Sequence, residues 1–392
     1  MLIRLLSRYY AAGLCFRRVE QLPERGSRAD EILIAFGVNS SEKLLDLRDG
    51  GLIRLPVTLI HEFSPDSLAI AEVAHPADIA IVRKMYVRLP KFGADVVGAP
   101  RRRYMREVDM GNDREDFGTD PSGVPLYQGS MVSPFDHRSQ AYVSGHGRRT
   151  AWKDLPFGEP GKSIVPQWRL ALDDIPAKLG SRWREYRIGF CDIANPLNQR
   201  TFMSALIPSD MVCGHKVPTI TFEPVNDHLM LLWLGIANSL VLDYIARKKV
   251  TLTMSFTVVD SLPLPRTFSA TPLEFAIASR VLRLSAIGPE MLAFWRRNAA
   301  SVGFDEKNVT PAEALVERER IRVEIDVLVA RDLIGLTAEE MRFLLDPTDI
   351  LGSECGFETF GAFKRAECRE FGEFRTRRLI LEAWENFHVE GH

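Results

Sequence analysis

Hydrophobic and polar positions along this chain fall into several distinct patterns. Residues 1–45 show no clear period. Across residues 50–90, short apolar runs (LIRLPVTLI, SLAIAEVAH, ADIAIVRKMYVRLP) alternate with turns and predict mixed strands and a helix. Residues 228–247 are apolar around most of a helical circumference, which predicts one long buried helix. On it Gly235, Ser239, Asp243 and Arg247 form a narrow stripe at four-residue spacing, with Asp243 placed to pair with Arg247. Directly afterwards Val250, Leu252, Met254, Phe256 and Val258 alternate with Thr251, Thr253, Ser255 and Thr257. That alternation predicts a strand, stopped by Pro263 and Pro265.

From Thr271 onward the pattern is helical. Thr271-Pro272-Leu273-Glu274 sets an N-cap, a first-turn proline and a capping-box glutamate at the right offsets. Thr310-Pro311-Ala312-Glu313 repeats the signal, and Thr337 with Glu340 gives a third box. Ile321, Val323, Ile325 and Val327 alternate as a strand would, but the face made by Ala314, Ile321, Ile325 and Leu328 favours a helix. The segment RRRYMREVDMGNDREDFGTDPSG, beginning at Arg101, lacks apolar periodicity and is predicted to be a long surface loop. Its arginines suit phosphates, and equally a solvated charge run. The expected fold class is α+β: a poorly defined segment over 1–45, a small α/β region over 46–115, a mixed-sheet domain over 116–266, and a helical region over 267–392.

Charge and cysteines narrow the picture. The net charge is −2, so nucleic-acid binding would require a local basic face. Residues 125–200 hold eleven lysines and arginines against seven acids, a mild local excess. Five cysteines, odd in number, widely spaced and without a CxxC, suit a reducing cytoplasm. Cys213 and His215 offer two metal ligands, with a buried thiol beside a surface histidine as the plainer reading. The stretch 229–246 is the nearest approach to a membrane span, and Asn238, Ser239 and Asp243 interrupt it; no membrane partner is expected. The arginine-bearing start, without an acid before Glu20, has the look of a transit peptide, or of a chain that begins inside a once longer protein; the second reading is preferred.

Two stretches crowd unusual chemistry together: 125–138 (PLYQGSMVSPFDHR) and 187–208 (RIGFCDIANPLNQRTFMSALIP). Arginine and amide side chains have the donors and acceptors to read guanine and adenine edges in the major groove. The candidate DNA contacts are Tyr127, Gln128, Arg138, Arg148, Arg149, Arg187, Asn195, Asn198 and Arg200. Gly129, Phe135, Asp136, His137, Asp192 and Thr201 are candidates for organising the loops. The alternative is that Asp136 to Arg138 and Asp192 to Arg200 form a buried polar network. Arginines interleaved with Trp168, Trp183 and Tyr186 suit stacking and phosphate contact, or a buried strand with snorkelling arginines. FGEPGKS departs from a phosphate loop, because Pro156 stands where that loop needs glycine. No G-x-S-x-G elbow is present, Asp305-Glu306-Lys307 lacks a metal-nuclease spacing, and no glycine-rich turn follows a strand.

PLYQGSMVSPFDHR, IANPLNQRTFMSALIP, NSLVLDYIARKK and DSLPLPR, in that order, resemble the C-terminal half of bacterial restriction–modification DNA adenine N6-methyltransferases. The nearest branch is the fused methyltransferase–endonuclease type (type IIG). The tail IDVLVARDLIGLTAEEMRFLLD is similar to the helical end of those enzymes, and the resemblance covers roughly residues 70–390. It implies a target-recognition domain followed by helices, with double-stranded DNA as partner. It also implies that S-adenosylmethionine and the motif gripping the flipped adenine lie on a catalytic partner or a missing N-terminal part. Asn195-Pro196-Leu197-Asn198 lacks the second proline and the aromatic of that motif, so no catalytic residue and no cofactor are assigned here. The expectation is a phage-defence recognition module without catalysis of its own. The alternatives are a DNA-modifying enzyme with a degenerate site, or a helical scaffold that binds proteins.

Overall fold

The computed structural model describes residues 6–8, 12–17, 30–35, 52–63, 75–159, 161–250, 252–305, 308–353 and 357–387. An N-terminal antiparallel sheet holds β1 (Leu6–Arg8), β2 (Ala12–Arg17), β3 (Glu31–Ala35) and β4 (Ile53–Pro56) in chain order. Helices α1 (Val57–Phe63) and α2 (Pro76–Arg88) follow. His75 caps α2, its ring accepting the Ala77 N–H while Asp78 reaches back to the His75 N–H. Most of SLAIAEVAH, together with Thr251, Glu306 and Lys307, lies outside the described residues.

Two more sheets form the middle of the chain. One has β5 (Arg101–Met105), β11 (Arg187–Phe190), β12 (Ser204–Ile207) and β14 (Thr219–Glu223) in the antiparallel order β12-β11-β14-β5. The other is mixed, with β6 (Phe117–Gly118), β7 (Val124–Tyr127), β10 (Trp168–Leu170) and β13 (Val212–Cys213) in the order β13-β7-β10-β6, β13 being parallel to β7. A hairpin of β8 (Gln140–Ser144) and β9 (Ala151–Asp154) stands beside them. The first arginines of the expected surface loop are therefore a strand. Arg101 to Met105 pair with all of β14, Arg102 is held by Asp260 and Arg103 by Glu223, so edge pairing and cross-strand charge replace the missing apolar period.

The long predicted helix is two: α3 (Asp227–Ala237) and α4 (Leu240–Lys249), bent by 70°. Asn226 caps α3 through the Leu229 N–H, and Ser239 caps α4 through the Leu242 N–H, so a fresh start signal sits inside the apolar run. Among the described residues no single helix is long and apolar enough to cross a membrane. The predicted strand after α4 is also different. Ser255 caps a short helix, α5 (Phe256–Ser261), and only Thr253 makes an isolated bridge, to Ile193. The alternation reflected burial of Met254 in the core, not a ladder.

The remaining helices are α6 (Pro272–Ser285), α7 (Leu292–Asn298), α8 (Leu315–Val327), α9 (Ala338–Leu345), α10 (Thr348–Leu351), α11 (Gly361–Phe371) and α12 (Arg375–Asn386). The Thr271/Glu274 and Thr337/Glu340 capping boxes both form. The one at Thr310 does not: α8 starts at Leu315 without a side-chain cap, because Arg318 donates to the Ala312 carbonyl and holds that segment extended. The helical choice at Ile321 to Val327 holds, and α8 runs on into a π-helical turn, Leu328–Ile334. Residue 235 must be small: a Cβ there would lie 2.6 Å from Ile277 of α6, so glycine lets α3 and α6 touch. The architecture is α+β with helices concentrated toward the C-terminus.

Candidate nucleic-acid interface

The two motif stretches meet in space through backbone groups. The Phe135 N–H donates to the Ser204 carbonyl at 3.1 Å, and the Thr201 and Phe202 N–H groups both donate to Asp243. Arg247, paired to Asp243 at 2.9 Å, donates to the carbonyls of Pro196, Asn198 and Gln199. The Asn238 amide exchanges hydrogen bonds with the N–H and C=O of Ser204, as a neighbouring strand residue would. The α3–α4 break thus clasps the second stretch. DSLPLPR lies elsewhere: Asp260 holds Arg102 and Tyr104, and Arg266 donates to the carbonyls of Phe92 and Ala94.

Several expected DNA contacts are internal. Arg187 is 0 % exposed and grips Glu107 with both arms, Nε at 2.7 Å and Nη2 at 2.8 Å. Burial alone would lower its pKa, but Glu107 raises it above the ordinary value. Tyr127 is equally enclosed, and burial raises its hydroxyl pKa. Arg138 is buried, donating to the Lys162 carbonyl at 2.8 Å, with Glu290 beside it. These three are corrected from groove contacts to interior supports: Arg187 and Arg138 donate to groups inside the protein, and the Tyr127 hydroxyl is enclosed without a hydrogen-bond partner among the described residues.

The network reading fits the loop residues. Phe135 takes φ 62°, which closes a tight turn in which Ser133 and Asp136 exchange backbone hydrogen bonds. Asp136 accepts the Arg138 N–H and Lys162 Nζ, so the lysine of FGEPGKS serves a carboxylate inside the fold. His137 meets Glu290 at 2.7 Å, and burial lowers its pKa despite that partner. Burial would raise the Asp192 pKa, but Arg106 and Lys216 hold it below the usual carboxylate range. Thr201 Oγ1 donates to the Asn195 carbonyl, Asn195 turns the chain by accepting the Leu197 N–H, and the Gly129 carbonyl faces the Cys191 thiol.

What reaches solvent is narrower. Arg149 and Asn198 are exposed; Gln128, Asn195 and Arg200 are half-buried; Arg148 is described only along its backbone. Arg149 sits at the tip of the β8–β9 hairpin. The tip turns on Gly145 at φ 82°, where a Cβ would strike the Arg149 carbonyl. Gln167 donates to the Gly145 carbonyl at 3.1 Å and accepts from Gln128 at 3.2 Å. The exposed ring of His146 stacks on Trp168, 5.5 Å between centroids, and the Arg114 guanidinium lies 3.9 Å from the same indole. Gln167, Trp168, Arg114, Glu107 and Glu290 were not singled out from sequence as site residues. Only the aromatic–arginine interleaving around Trp168 pointed that way. Cys213 is buried and His215 accepts the Met110 N–H; no group of three or more metal-ligating side chains is found among the described residues.

No protein-family model matches the chain, and no curated protein matches it.

Proposed function

We propose that the chain is a sequence-specific double-stranded DNA recognition module of a cytoplasmic restriction–modification or phage-defence adenine-N6 methyltransferase system. Methyl transfer from S-adenosylmethionine then falls to a catalytic partner or to a part of the enzyme outside the motifs described above. The observation that supports this reading is the β8–β9 hairpin. A two-stranded ribbon is one of the shapes that enters the major groove. Its tip carries exposed Arg149 and His146 and is braced through Gly145 and His146 against the Gln128–Gln167 amide pair and Trp168. At its base Lys162, paired with Asp136, donates to the Leu155 carbonyl, and a site that reads base edges requires such rigid support.

The test is electrophoretic mobility shift on a random duplex pool, followed by selection of the retained sequences. Binding is expected, with log affinity falling linearly as log salt rises. Arg149→Ala is expected to weaken the selected site about tenfold, the cost of one base-edge or phosphate contact. It should leave thermal stability unchanged, because the side chain is exposed. Absence of binding to any duplex at low salt, or an unchanged affinity in the variant, rejects the reading.

A further inference from the structure

The β8–β9 ladder breaks its register once. Gln140 faces Asp154, Ala141 faces Lys153 and Tyr142 faces Trp152; the next pair is Ser144 with Ala151. Val143 is therefore the extra residue of a β-bulge and, among the described residues, has no cross-strand partner. Bulges are over-represented beside active sites, where they re-aim a side chain. Val143 is 58 % exposed. Ser144, His146, Arg149 and Ala151, which follow it around the turn, are exposed too, so a branched aliphatic side chain stands among mainly polar ones.

Packing does not account for this valine. β-Branched residues suit strands because they pack on cross-strand and same-face neighbours. Val143 lacks the first kind, and threonine would supply the same branching with a hydroxyl for water. The backbone that carries it is nonetheless held on both sides. The Tyr142 N–H donates to the Val165 carbonyl at 3.0 Å, and the Tyr142 ring meets Trp152 edge to face, 5.9 Å between centroids. The Tyr142 hydroxyl donates to the Gly145 carbonyl at 3.0 Å, and Gln167 donates to the same carbonyl. An exposed apolar group on a fixed support is what discrimination by contact requires.

We propose that Val143 is a specificity-determining residue that reads the C5-methyl group of a thymine. The inference rests on the hairpin's entry into the major groove. There every base edge offers hydrogen-bond donors or acceptors, and thymine alone adds an apolar group, its C5-methyl. Valine has no donor or acceptor. It favours thymine by covering that methyl, and against guanine, cytosine or adenine it leaves polar atoms without a partner. The recognised sequence then contains an A·T pair at a fixed position under the bulge, and Arg149 and His146 are left for polar contacts.

The test compares the selected duplex with copies in which deoxyuridine replaces thymine one position at a time, a change that removes the methyl group and nothing else. The full chain is used, and competition in the mobility shift reads relative affinity. At one position the replacement is expected to weaken binding about fourfold, the value of one buried methyl group. Val143→Ser should weaken binding of the thymine duplex by a similar factor and abolish the difference between thymine and deoxyuridine at that position. Its unfolding temperature should stay unchanged, because the side chain is exposed. A deoxyuridine penalty that persists in Val143→Ser assigns the methyl to another residue and overturns the proposal, as does equal binding of every deoxyuridine copy. Where that equality is found and Arg149→Ala still weakens binding, the hairpin reads DNA and this inference alone falls. Where no duplex is bound at low salt, the DNA reading falls and this inference falls with it.

Discussion

Asp326 is a fully enclosed carboxylate whose charge the fold resists. Burial raises its pKa from 3.8 to about 6, against the pull of Arg200 and of the Leu240 N–H it accepts at 2.7 Å. A folded pKa above the unfolded one means that the native state binds the proton more tightly. The stabilisation is therefore complete below pH 4 and is lost as pH rises through about 6. Asp326→Asn keeps an oxygen for the Leu240 N–H and removes the charge. It is expected to stabilise the protein by about 2 kcal/mol at pH 8 and by almost nothing at pH 4. Urea unfolding of both proteins at the two values checks this; an equal difference at each pH would contradict it. Arg187 is the opposite case. Glu107 meets both its arms at the ordinary distances, so its charge is stable, and removing either partner would strand the other in the interior.

At the scale of elements, local signals were legible and long-range ones were not. The capping boxes at Thr271 and Thr337 were readable because cap and responder lie three residues apart. The Asp243–Arg247 pair was readable for the same reason. The bend between α3 and α4 was not, because Asn238 and Ser239 read as polar interruptions of one helix until Ser204 is brought alongside. Arg101 to Met105 was misread because its partner, β14, lies more than a hundred residues on. The candidate site lies mostly on the long-range side. The turn at Phe135 takes a backbone conformation that its side chain disfavours and is held by the distant Ser204 carbonyl, and the burial of Arg187 depends on Glu107, 80 residues earlier. Asn238→Ala tests the clasp. It leaves the Ser204 N–H buried without a partner, while the Ser204 C=O keeps the Phe135 N–H, and should cost about 1–3 kcal/mol. Denaturant midpoints measure it, and a change under 0.5 kcal/mol, the usual surface value, would mean that the clasp contributes nothing.

For the whole molecule, the sheets and the helical region share one interior. The largest apolar cluster runs from Leu55 through Phe135, Ile188 and Phe190 to Ile277, Ile325 and Trp384, crossing the expected boundary near residue 266. Polar ties cross it too: His137 to Glu290, Tyr186 Oη to the Glu290 carbonyl, and Leu240 N–H to Asp326. The helices after residue 266 thus cover the apolar face of α3, where Gly235 admits Ile277 and Val281. A chain ending at Arg266 would expose that face and leave His137 and Asp243 in an opened interior. Such a fragment is expected to lose cooperative unfolding and to bind a hydrophobic dye, although it retains both motif stretches and the hairpin. Calorimetry and dye fluorescence on residues 1–266 decide it. A sharp transition would make the middle sheets an independent unit. A broad one would mean that the hairpin's rigid seat is set partly by helices more than a hundred residues downstream, so that DNA reading and the helical region cannot be separated by truncation.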